Sequence, residues 1–272
     1  MLIKRKEFLQ AGSLATASFM LPKFLKAFEK PMMVPPGNKV VVVIQFSGGN
    51  DGLNTVIPVR NDIYYKERPV LGIAKEKALL LTDETGLNPA LEAFKGFYED
   101  GSLGILNSVG YPNPDRSHFR SMDIWHSASN SNEYINTGWV GRYLDAQCKG
   151  CDKPTQAVEI DDVLSLALKG EHNKGLAFKD PRRLYNISNG PFIRDVNSDH
   201  KAGEETIDYL YKTMSETLSS AEYIYKQSRV HPTDQTYPNT ELGKDLKTIA
   251  SLIFSDINTK VYYVSLGSFD TH

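Results

Sequence analysis

Apolar residues in this chain fall into short unbroken runs that alternate with longer amphipathic stretches. The run Val40-Val41-Val42-Val43-Ile44-Gln45-Phe46 shows no period-two alternation, the pattern of a strand covered on both faces. Asn88-Pro89 then opens a predicted helix with Leu91, Phe94, Phe97 and Tyr98 on one face and Gly101 beyond its end. Residues 103–109 read as a second strand, and a strand–helix–strand unit favours a parallel pair with a right-handed crossover. Further helices are predicted over residues 116–126, 137–147 and 204–227. Another carries Leu242, Leu246, Ile249 and Ile253, capped by Asn239 or Thr240. Residues 156–160 and 260–266 read as strands, and the polar, glycine-bearing stretch 170–200 as a loop or insertion. Strands alternating with helices predict an α/β fold with a doubly wound, mostly parallel sheet flanked by helices.

Two of the strands run into turns that carry chemistry. The first is followed by Ser47-Gly48-Gly49-Asn50-Asp51-Gly52, the last by Gly267-Ser268-Phe269-Asp270-Thr271-His272. The carboxyl ends of strands are where open α/β sheets bind ligands. A carboxylate at Asp51 suits magnesium, calcium, manganese or zinc, although Asn-Asp-Gly is also an ordinary turn tripeptide. Asp270 and His272 are two residues apart, so in an extended segment both face one way and can share a metal. Ser117, after Pro114-Asp115-Arg116, opens a helix, where a hydroxyl usually only caps. The same position favours anions, and a serine beside a metal can attack a phosphorus or sulfur ester, with Arg116 and His118 binding the anionic group. The loop Ser47–Asp51 also resembles the pyrophosphate loop of ATP pyrophosphatases, but Gly52 stands where that loop has a serine.

The amino terminus predicts export. Lys4-Arg5-Lys6 precedes a short, weakly apolar, small-residue stretch over residues 11–21, the layout of a signal with a twin-arginine-like start. That stretch is too short to span a bilayer, although an uncleaved signal would anchor the protein. Residues 1–30 are read as the signal, 31–38 as a proline-bearing linker and 39–272 as the α/β domain. The signal carries six basic and two acidic side chains, a net of +4, so against −2 for the whole chain the remainder is −6. An acidic body argues against a nucleic-acid partner, which requires clustered lysine and arginine. The cysteines are Cys148 and Cys151, in a C-x-x-C spacing that fits a redox pair, half a zinc site or a small disulfide, the last preferred for an exported protein.

Four segments together, in this order, resemble the DUF1501 family. They are residues 48–58 (GGNDGLNTVIP), 116–119 (RSHF), 138–144 (GWVGRYL) and 269–272 (FDTH). That family is a group of exported bacterial proteins similar to the alkaline phosphatase and sulfatase superfamily. The resemblance implies an alkaline-phosphatase-like fold, with Ser117 as nucleophile and Asp51, Asp270 and His272 as metal ligands; Asn54, Arg116 and His118 are the expected substrate contacts. It also implies a further Asp-His-Gly segment, which this sequence lacks, so the domain is expected to be incomplete at its C-terminus.

The expected function is hydrolysis of a phosphate or sulfate ester, of a small molecule or a glycan, assisted by divalent zinc, calcium, magnesium or manganese. The expected partners are that substrate and, through the signal, the export translocon. The alternative expectation is an exported binding or assembly protein that keeps the fold without turnover, with residues 170–203 as a partner or glycan surface.

Overall fold

The computed structural model describes residues 39–147, 154–190, 205–229, 233, 235–255 and 257–270. The predicted signal, the linker, the Cys148–Cys151 pair, residues 191–204 and His272 lie outside the described residues. The strands are β1 Val41–Phe46, β2 Val56–Ile57, β3 Leu79–Leu80, β4 Gly86–Leu87, β5 Ala157–Glu159, β6 Leu176–Ala177 and β7 Val261–Leu266. The α-helices are α1 Gly52–Thr55, α2 Asp62–Glu67, α3 Glu92–Glu99, α4 His118–Ser127, α5 Trp139–Gln147, α6 Pro181–Ser188, α7 Glu205–Ser228 and α8 Glu241–Phe254. The chain divides into two compact units, one holding residues 51–109 and the other residues 36–50 and 110–272.

The larger unit is α/β. Its four strands are all parallel and lie in the order β1-β7-β5-β6. Helices cover both faces. On one, Val158, Ile160, Tyr262 and Val264 pack against Ile224 of α7 and Ile249 and Leu252 of α8. On the other, Ala157, Val261 and Tyr263 pack against Val140 and Leu144 of α5 and against Ala167 and Leu168. The two faces come from alternate residues of the same strand, as a pleated strand dictates.

The glycines of the 138–144 motif explain how α5 reaches the sheet. A Cβ on Gly138 would sit 2.0 Å from the Leu166 carbonyl oxygen, and one on Gly141 would sit 2.1 Å from the Lys169 carbonyl carbon. Only glycine lets the segment 166–170 lie against the helix backbone, and Gly138 donates its N–H to the Lys169 carbonyl at 2.7 Å. From the same motif Arg142 donates to the Ser127 and Thr137 carbonyls at 2.6 and 2.8 Å. A guanidinium on the last carbonyl of α4 complements that helix end electrostatically, and Ala128 leaves the helix in left-handed backbone at φ +50°. Beyond it Asp145 accepts the backbone N–H groups of Glu171, His172 and Asn173. Burial works to raise the Asp145 pKa, and these donors outweigh it and hold the group below its ordinary value.

Three expectations are corrected, the second in the smaller unit. β1 is not covered on both faces among the described residues: it is the edge strand, with Val41 55% and Phe46 47% exposed. Residues 103–109 form no strand. Ser108 has φ +58°, which interrupts an extended run, and Leu106 is 88% exposed. The predicted loop 170–200 holds β6 and α6, whose start is set by Asp180 accepting the Arg183 N–H at 2.7 Å with Pro181 in the first turn.

The smaller unit carries an antiparallel sheet in the order β2-β4-β3, packed on Ile57, Val59, Tyr64 and Ala78. These two-residue strands are too short to leave a periodic signal. The predicted helix after Asn88 is present as one 3-10 turn, Pro89–Leu91, followed by α3. Gly101 follows with φ +74°, and Ser102 donates back to the Phe97 carbonyl at 2.8 Å.

Candidate functional site

β1 and β7 are parallel neighbours in register from Val41↔Val261 to Phe46↔Leu266, so both end at the same edge of the sheet. Ser47 continues the ladder by donating to the Leu266 carbonyl at 2.9 Å. Both chains then leave in left-handed backbone: Gly48 at φ +98°, Gly49 at φ +87° and Ser268 at φ +70°. Glycine adopts that region at little cost, while Ser268 carries the strain of a non-glycine residue there.

The two glycines make room for two functional side chains. A Cβ on Gly48 would lie 3.0 Å from the Asp270 amide nitrogen, and one on Gly49 would lie 2.8 Å from Cε1 of His118. The turn after β1 is thus threaded between the turn after β7 and the start of α4. Phe46 and Phe269, with ring centroids 5.2 Å apart, pack at the base of the two turns. Above them Nε2 of His118 stands 3.8 Å from Oδ2 of Asp270, with both side chains about two-fifths exposed. That separation is too long for a direct hydrogen bond and short enough for a charge pair when the imidazole is protonated.

Ser117 is the N-cap of α4. Its Oγ accepts from the Arg120 N–H at 3.4 Å, and its own N–H donates to Oδ1 of Asp115 at 2.7 Å. The hydroxyl is exposed, and its long capping bond holds it weakly. Arg116 is exposed beside it. Next to the site Gln45, on β1, accepts through Oε1 from the Tyr263 hydroxyl and meets Nε2 of His126 at 2.7 Å. With Oε1 accepting, His126 carries its proton on Nε2. Burial depresses the His126 pKa against an opposing pull from Asp123. This polar chain ties α4 to β1 and β7, and sequence reasoning missed it: Gln45 and Tyr263 read only as members of apolar runs.

Glu159, at the end of β5, was also missed. It is 2% exposed, accepts the Ser165 N–H at 2.7 Å, and is pushed by burial up to about 7. Only the odd carboxylate inside an apolar strand could have marked it.

Asp51 belongs to the smaller unit. It caps α1, accepting the Asn54 N–H at 3.3 Å through Oδ1, while Oδ2 takes Nη1 of Arg68 at 2.5 Å. Asn54, a predicted substrate contact, has its amide engaged by the Tyr64 hydroxyl at 2.6 Å and the Leu71 carbonyl at 2.9 Å. Both are parts of a local hydrogen-bonded turn. The structure brings Ser117, His118 and Asp270 into one unit and one region; Arg116 adjoins them in sequence.

Asp270 and His118 supply two candidate ligands, and a divalent site takes four or more. Among the described residues no group of three or more His, Cys, Asp or Glu side chains is placed to hold a common ion. Among them, too, no helix is long and apolar enough to cross a membrane. Comparison with known proteins gives no match to a family model, a curated protein or a solved structure.

Proposed function

We propose that this is an exported hydrolase of phosphate or sulfate esters. The observation that carries the reading is the meeting of His118 and Asp270 over the Gly48-Gly49 turn, beside a serine that opens a helix. The fold supports it in a general way, since the carboxyl edge of a parallel sheet is the usual place for such chemistry.

In this reading the anionic group of the ester lies at the start of α4, against Arg116 and the helix N–H groups. Oγ of Ser117 attacks phosphorus or sulfur. Its proton passes to the imidazole of His118, and Asp270 stabilises the resulting imidazolium. The Oγ–P or Oγ–S bond forms as the bond to the leaving alcohol breaks, and the alcohol departs with a proton. Water then cleaves the serine ester, releasing phosphate or sulfate and restoring the hydroxyl. A divalent cation, if bound, would contribute charge stabilisation to the ester oxygens. Asp270 is the ligand this unit offers, with His272 the second proposed from sequence.

The test is the isolation of the serine ester. Incubation with an aryl phosphate or aryl sulfate at low pH, followed by peptide mass spectrometry, is expected to show one added phosphate or sulfate on Ser117 and none in Ser117→Ala. Modification elsewhere, or none with either ester, rejects the nucleophile.

A second reading, an exported binding protein without turnover, has one observation in its favour. The Asp51 carboxylate is already paired with Arg68 and capping α1, which is what a turn residue does. Full ester hydrolysis by Ser117→Ala and by Asp270→Asn would leave neither residue a catalytic part. Hydrolysis lost in both excludes the inert reading.

A further inference from the structure

Away from the strand ends, α6, α7 and α8 enclose a groove of about 610 Å3. Among the described residues, Arg182 from α6, Arg229 just past α7, and Lys244 and Lys247 from α8 line it, against one carboxylate, Asp180. Four cations less one anion leave the lining at +3. The Asp180 carboxylate is held inward by the Arg183 N–H that it caps. None of the four cations has a carboxylate within ion-pair distance among the described residues. The acids beside them on α8, Glu241 and Asp245, are both taken by Lys179, at 2.8 and 3.5 Å.

This concentration runs against the rest of the molecule. Outside residues 1–30 the chain carries a net −6, so a +3 groove is not a consequence of a basic protein. Cations gathered in a concave surface repel one another, and concavity strengthens the field at its centre. A bound anion relieves that repulsion. The hydroxyls of Ser228, Thr248 and Ser251 donate to the Tyr225, Lys244 and Lys247 carbonyls of their own helices, so the anion contacts fall to the four cations. Tyr225 adds a ring made rigid by stacking on Tyr185, with centroids 4.4 Å apart and planes 15° apart. Arg229 reaches over the same ring, its Cζ 5.6 Å from the centroid. The volume lies in the range of sites for compact ligands of up to a few sugar rings.

We propose that this groove binds a compact, multiply charged phosphate or sulfate compound, with Arg182, Arg229, Lys244 and Lys247 as the anion contacts and Tyr225 holding Arg229 in the wall. The site stands on the helical layer and does not rest on the ester-hydrolase reading.

The test is calorimetric titration of the full chain at physiological ionic strength with two probes, sucrose octasulfate and inorganic pyrophosphate. Saturable one-to-one binding of at least one probe is expected. The sulfated sugar binding more tightly assigns the ligand to the saccharide class, and pyrophosphate more tightly assigns it to free polyphosphates. Lys244→Glu with Lys247→Glu is expected to weaken binding at least tenfold. Arg182→Gln with Arg229→Gln, on different elements, is expected to do the same, so the result does not depend on one variant folding. Lys66→Glu with Lys77→Glu makes the same change in net charge outside the groove and is expected to leave affinity within twofold. No saturable binding of either probe, or equal losses in the groove and control variants, overturns the proposal.

Discussion

Nε2 of His118 stands 3.8 Å from Oδ2 of Asp270, although one side chain opens a helix and the other follows the last strand. Parallel pairing of β1 with β7 ends both strands at one edge, and two glycines after β1 leave the space in which the pair meets. The relationship depends on backbone that only glycine adopts cheaply.

Gly49→Ala is therefore expected to damage the site more than the fold. Its Cβ would fall 2.8 Å from the His118 ring at φ +87°, so the imidazole must move. A stability loss of about 2 kcal/mol is expected from the left-handed backbone and the contact together. Histidine NMR should show a displaced His118 resonance with the His126 resonance retained. An unchanged His118 signal would mean that the turn does not position it.

Gly141→Ala reverses a general rule. Alanine normally stabilises a helix over glycine by about 1 kcal/mol. Here its Cβ would lie 2.1 Å from the Lys169 carbonyl carbon, inside backbone that cannot rotate away. A loss of about 3 kcal/mol or more is expected in denaturant unfolding. A neutral or stabilising result would contradict the packing of α5 on residues 166–170.

Glu159 makes stability depend on pH. Its ordinary value is 4.5 and its folded value about 7, so between these values the folded protein binds the proton that the unfolded chain has released. Stability is then highest below about 4.5 with respect to this group and declines as pH rises to about 7, by roughly 3 kcal/mol. Asp161 adds to the shift and Lys169 opposes it. Glu159→Gln keeps an acceptor for the Ser165 N–H and removes the titration, so melting temperatures should flatten across pH 5–8. A wild-type slope retained in the variant would assign the effect to other groups.

Asp51 can be tested through its partner. The Arg68 pair is partly exposed and is worth no more than about 1 kcal/mol, so Arg68→Gln is expected to fold normally. If Asp51 is a cation ligand, removal of the competing guanidinium should raise manganese affinity several-fold. Unchanged affinity would make Asp51 a turn residue.

Much of the larger unit was legible because its signals are local. β7, α5 and α8 declare themselves through apolar runs, spacing and the Thr240 cap, which accepts the Gly243 N–H at 3.1 Å. The strand-end aspartate and the Ser117 cap were readable for the same reason. What could not be read is non-local. Whether β1 has neighbours on one side or two is decided by pairing, not by its own composition. Residues 103–109 had the composition of a strand but no partner ladder among the described residues. The Gly138 and Gly141 contacts and the Gln45–Tyr263–His126 chain join positions far apart in sequence. Gly138–Leu144 entered the sequence reading only as a segment of the family resemblance; the structure shows that its glycines serve close packing and that Arg142 donates to the Ser127 carbonyl.

The most direct measurement is steady-state hydrolysis of an aryl phosphate and an aryl sulfate, with added zinc, calcium, magnesium or manganese. Wild type would be compared with Ser117→Ala, His118→Gln and Asp270→Asn. The account predicts turnover of one ester class, lost at least a hundredfold in Ser117→Ala and reduced at least tenfold in the other two. Turnover that survives all three substitutions, or none by wild type with any metal, would contradict it.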